Sequence, residues 1–224
     1  MSVALPSPGH QLTMPAGGNP SDIMDGNHGT LTGDFAQGMV GQAFSFDGTG
    51  DYVLVPDSAN LNITGDVTVD MWAKRTVFGG VRVLVDKGAN IVGPVDQPDA
   101  YAMWFSQNDY LVAGFARADG FLVYLVGPVI TDSQFHHYAY VRSGNTHKLF
   151  MDGVVATADT FTDVPGDTSG LPLAIGAVRR DPNPPGFSSH FGGVIDEVEI
   201  FNRALSDAEI KAIYDAGSAG KIKP

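Results

Sequence analysis

The chain has 224 residues, a formal net charge of −12, 43% hydrophobic residues and no cysteine. The missing thiols exclude disulfide scaffolds, zinc ribbons and thiol catalysis. The acidic balance, with no Lys/Arg stripe, argues against a nucleic-acid partner, and no apolar run is long enough to insert into a bilayer.

Residues 1–17 read as a lead-in segment or a weakly patterned first strand. Met1–Asn19 shows neither the basic cluster nor the apolar core of a signal peptide. Strand signals then recur at short intervals: Ala43–Phe46, Asp51–Val55, Val67–Lys74, Val81–Lys87, Tyr101–Phe105, Leu111–Arg117, Phe121–Val126, His136–Arg142, Lys148–Met151, Leu171–Ile175 and Gly193–Phe201. Gly, Pro, Asn and Asp punctuate nearly every gap. Asp-Gly pairs such as Asp47-Gly48 and Asp152-Gly153 suit hairpin turns. Many short strands at regular spacing predict an all-β antiparallel sandwich, with residues 18–224 forming one domain.

The chain closes on a strand and a helix. In Gly193–Phe201, Val194, Asp196, Val198 and Ile200 alternate with Ile195, Glu197, Glu199 and Phe201. Strict alternation draws Asp196 inward with Val198 and Ile200 and leaves Glu197 and Glu199 facing solvent. Ser206-Asp-Ala-Glu209 is a capping box, and Gly217 stands at a left-handed C-cap, so one short C-terminal α-helix follows.

Two strands are apolar on both faces. In Tyr101–Phe105, Trp104 opposes Tyr101, Met103 and Phe105; in Phe121–Val126, Tyr124 opposes Phe121, Val123 and Leu125. One face of each enters the core. Trp104 and Tyr124 are then either covered by a loop or form an open aromatic platform that packs on sugar rings. The Pro-rich stretch from Gly176 to His190 offers Arg179, Arg180, Asp181 and Phe187 as further ligand contacts, or merely connects strands.

Several segments together resemble the laminin-G-like, concanavalin A-like jelly-roll domains of bacterial exported proteins. They are Gly18–Leu31, Gly41–Asp57, Val67-Thr-Val-Asp-Met-Trp-Ala73, Leu84-Val-Asp-Lys-Gly88, Phe135-His-His-Tyr-Ala-Tyr-Val-Arg142, Leu149-Phe-Met-Asp-Gly-Val154 and the closing strand and helix. The resemblance implies two curved antiparallel sheets with neighbouring first and last strands. It also implies an accessory module that binds a polysaccharide or other glycan and forms part of a larger secreted or cell-surface protein. Finally, it implies a structural Ca²⁺ held by Asp22, the Gly48 carbonyl and Asp196. Oxygen ligands of this kind suit Ca²⁺; the plain alternative is that Asp196 accepts hydrogen bonds.

Catalysis has less support. His136 and His137 are strand neighbours pointing to opposite faces, so they do not share an ion. No Gly-x-Ser-x-Gly, phosphate-binding loop or His-Glu-x-x-His motif is present. A glycan-active enzyme on the same fold would use Glu197 and Glu199, spaced about 6.5–7 Å along one strand face. A structural or protein-interaction module is the remaining alternative.

Overall fold

The computed structural model describes residues 9–14, 19–23, 25–88, 98–180 and 186–220. In chain order the strands are β1 (His10–Met14), β2 (Thr30–Thr32), β3 (Asp34–Gln37), β4 (Gln42–Asp47), β5 (Tyr52–Val55), β6 (Val67–Arg75), β7 (Arg82–Gly88) and β8 (Asp99–Phe105). There follow β9 (Tyr110–Ala116), β10 (Leu122–Val129), β11 (Phe135–Ser143), β12 (Thr146–Met151), β13 (Val154–Thr160), β14 (Leu173–Ile175), β15 (Val178–Arg180), β16 (Gly186–Ser188) and β17 (Gly192–Phe201). Helix α1 spans Asp207–Gly220, with Gly217 non-helical at φ 45°.

These strands form an antiparallel jelly-roll sandwich. One sheet runs β13-β12-β11-β6-β17-β4-β3, with β1 also paired to β17; the other runs β10-β9-β8-β7-β14-β5-β2. Within the lead-in, His10–Met14 form a strand, and the first and last described strands are neighbours. Val69, Met71, Tyr138 and Ile200 of the first sheet bury against Val53, Leu84, Met103 and Leu111 of the second, a contact driven by removal of apolar surface from water. Helix α1 covers the outer face of the first sheet, where Ile210 and Ile213 pack with Ala139, Val141, Phe150 and Phe201. Trp72 stacks on Tyr214 with ring centroids 5.7 Å apart.

The capping box forms as expected. Ser206 N–H donates to Glu209 Oε2 at 2.8 Å and Glu209 N–H donates to Ser206 Oγ at 3.3 Å. Hydrogen bonds from Arg203 and the Ser206 amide hold the Glu209 carboxyl down at about 2.

Strict alternation fails in β17. Asp196 pairs with Trp72 and Glu199 with Asp70, so two residues, Glu197 and Val198, oppose the single Met71 across a β-bulge, with Glu197 at φ 51°. The bulge shifts parity: Ile195, Val198 and Ile200 all enter the core, and Asp196 lies on the opposite face from Val198. Glu197 and Glu199 are 2% and 0% exposed. Their expected solvent exposure is thus corrected.

Candidate functional site

Three strands of the second sheet build the site. Trp104 of β8 pairs with Val112 of β9, which pairs with Val126 of β10. One row along, Ala102 pairs with Gly114 and Gly114 with Tyr124. These residues point away from the main core, because their strand neighbours Met103, Ala113 and Leu125 fill it. A Cβ at Gly114 would overlap the Val123 carbonyl and lie 2.7 Å from Tyr124 Cα. Glycine is what lets β10 and its tyrosine approach so closely.

The result is a groove of about 330 Å³ between Trp104, Tyr110, Tyr124 and Val126, with Ser106 at one end. Trp104 meets Tyr124 edge-on at 6.1 Å. Trp104 itself is only 6% exposed and forms the floor; Tyr124 and Tyr110 are 48% and 40% exposed and form the walls. Of the two fates open to the pair, Tyr124 takes the open one.

The rim is fixed from below. Ser106 N–H donates to the Tyr110 carbonyl at 2.9 Å, closing the turn that carries Tyr110. Within it Asp109 sits at φ 63° and accepts from Arg75 at 2.6 Å and from Gly79 N–H at 2.8 Å. Burial pushes the Asp109 carboxyl up, but the Gly79 amide and the Arg75 guanidinium overcome it and hold it below the usual range.

The β15–β16 hairpin lies on the same outer face, since Val178 packs in one cluster with Val83, Ala102 and Trp104. Phe187 stacks on Tyr52 at 3.9 Å, which occupies one face of its ring. Arg179 is half-buried opposite Phe187 and already has an interaction partner. The side chain of Arg180 and the whole of Asp181 lie outside the described residues.

The proposed metal ligands do not converge. Asp22 is buried and accepts the backbone N–H groups of Thr13, Asp25 and Asn27 at 3.0, 3.1 and 2.9 Å. The Gly48 carbonyl accepts from the guanidinium of Arg82 at 3.1 Å, so a cation already faces it. Asp196 accepts from Val40 N–H at 2.8 Å. Gly48 lies against Gly192, four residues and about 13 Å of strand from Asp196, too far to share one ion. Among the described residues no three His, Asp or Glu side chains gather as a metal cluster. The residues present do not fit the three-ligand calcium site.

The other charged candidates are structural. His136 and His137 do point to opposite faces. His136 contacts Asp132 and Asp152 at 3.1 and 2.8 Å, and His137 is buried against Asp70 at 3.3 Å. A carboxyl pair that sequence reasoning missed, Asp86 and Asp99, is fully buried between β7 and β8. Burial, then the Asp99 charge, raises the Asp86 carboxyl well above its ordinary value. The apolar run Val83-Leu84-Val85 before it carried no sign of it.

Among the described residues no helix is long and apolar enough to cross a membrane. No curated protein sequence matches this chain. Solved structures share its fold at low identity. The binding domain of Paraclostridial Mosquitocidal Protein 1 matches with TM-score 0.69 at 12% identity, over 93% of this chain and 52% of that one. The chain thus spans about half the length of that relative. Domain 4 of AbnA, a GH43 extracellular arabinanase from Geobacillus stearothermophilus solved with arabinotriose, matches with TM-score 0.67 at 18% identity, over 92% of this chain and 100% of that one. The CBM40 of Ruminococcus gnavus IT-sialidase matches with TM-score 0.60 at 16% identity, over 83% and 96%. The family model for the concanavalin A-like lectin/glucanases superfamily matches residues 47–211, and the chain belongs to that superfamily.

Proposed function

We propose that this domain binds carbohydrate without catalysis, as a module of a larger secreted or cell-surface protein. The observation that carries the reading is the groove between Trp104 and Tyr124. Its aromatic walls suit the C–H faces of sugar rings, and among the described residues no carboxylate lines it. Glu197 and Glu199, the carboxylates an enzyme on this fold would use, are buried. Resemblance to a domain of an extracellular arabinanase solved in complex with arabinotriose supports the same reading.

The test is retention of the purified domain in native gels cast with soluble polysaccharides. Retention by at least one polysaccharide, strongly weakened in Tyr124→Ala with an unchanged melting temperature, is expected. Retention that Tyr124→Ala leaves intact would move the site elsewhere, and release of reducing sugar would overturn the non-catalytic reading.

A further inference from the structure

The chemistry of the groove and its surroundings narrows the ligand class. Every described residue lining the groove is uncharged: the aromatic trio of Trp104, Tyr110 and Tyr124, the aliphatic side chains beside them, and the hydroxyl of Ser106. The turn tip between Ser106 and Tyr110 adds Gln107 and Asn108, both exposed. Their amides both donate and accept, which matches the mixed character of sugar hydroxyls. A carboxylate, sulfate ester or phosphate on a glycan would instead call for an Arg or Lys aimed at it.

Among the described residues no such cation is left over near the site; the Arg180 side chain lies outside them. Arg75, Lys87, Arg117, Lys148, Arg203 and Lys211 are paired with carboxylates. Arg82 and Arg142 donate to backbone carbonyls, and Arg179 is engaged as well. Lys74 lies over Phe135, on the other sheet. With 25 acidic against 13 basic residues, the field of the whole domain repels polyanions.

From this juxtaposition we infer that the groove is selective for uncharged glycans and rejects acidic ones. The inference rests on the glycan-binding reading above and sharpens it.

The experiment titrates the purified domain by calorimetry with a neutral set (arabinan, xylan, galactan and a mixed-linkage glucan) and an acidic set (polygalacturonate, hyaluronan, heparin and a sialylated oligosaccharide). Each titration is run at about 0.02 M and about 0.5 M NaCl, which spans weak to nearly complete screening. Binding to a neutral glycan is expected, with Kd changing less than about twofold across that range. Tyr124→Ala should weaken it about tenfold, and the Gln107→Ala/Asn108→Ala double variant should weaken it with its melting temperature unchanged. Tyr124 is partly exposed, so its variant folds, whereas Trp104→Ala removes a buried ring. Binding confined to an acidic glycan, and weakened by salt, would overturn the neutral selectivity while leaving the glycan-binding reading in place. Binding to neither set would overturn both.

Discussion

Arg75 of β6 reaches across the end of the sandwich and donates to Asp109, in the β8–β9 turn, at 2.6 Å. The guanidinium is 1% exposed and also packs over the Phe105 ring at 4.0 Å. One ion pair therefore joins the two sheets and fixes the turn that carries Tyr110 into the groove. Removing the carboxylate strands a buried cation. Asp109→Ala should cost about 3 kcal/mol of stability in denaturant titration. Asp109→Asn should cost less, because it keeps an acceptor oxygen and tolerates positive φ. A cost below about 0.5 kcal/mol for the alanine variant, typical of an ordinary surface change, would show that the pair does not join the sheets.

Gly114 sets the position of Tyr124. A methyl group there meets the backbone of β10, not a flexible side-chain end, so relief requires the edge strand to move. Gly114→Ala should destabilise by about 1–3 kcal/mol and weaken glycan retention as strongly as Tyr124→Ala. Unchanged retention in a folded Gly114→Ala protein would mean that the groove does not need this strand approach.

The Asp86–Asp99 pair makes stability depend on pH. Burial and the neighbouring Asp99 charge raise Asp86, while Lys87 pulls only weakly the other way. The stabilising contribution of the protonated carboxyl is complete below its unfolded value of 3.8 and is lost as pH rises through the raised folded value. Asp86→Asn keeps a donor toward Asp99 and removes the titration. The variant should melt higher than the parent at pH 8, with the difference shrinking toward pH 4. A pH-independent difference would rule this pair out as the source.

His147 acts in the opposite sense. Burial, then the charge of Arg142, lowers its imidazole to about 4, and Nδ1 meets the Tyr140 hydroxyl at 2.8 Å. A depressed folded value means stability present above the unfolded value of 6.5 and lost as pH falls toward about 4. His147→Gln should flatten the fall in melting temperature between pH 6.5 and pH 4. A slope equal to the parent's would contradict this assignment.

Calcium gives a further contrast. Because Gly48 faces Arg82 and stands apart from Asp196, a chelator should leave the melting temperature unchanged. A ligand held by the native state at ~100 times its Kd would add about 2.7 kcal/mol. A clear drop in melting temperature with chelator, restored by Ca²⁺, would require an ion site of a different composition.

The sequence alone determined the strands with a buried face, because burial on one side imposes a period of two that any reader can count. It determined the capping box as well, since Ser206 and Glu209 act within one helical turn. The two-sided apolar pattern around Trp104 and Tyr124 marked two residues of the outer groove. Strands without a buried face were silent: β13 is exposed along most of its length and carries no alternation. The tertiary structure decided the rest. A single inserted residue at Glu197 reverses the facing of everything beyond it, and nothing local announces it. Arg75 and Asp109 meet only because two sheets close, and Gly114 matters only because β10 arrives beside it. Pattern is a property of one strand and its solvent; facing, pairing and burial of charge belong to strands in contact.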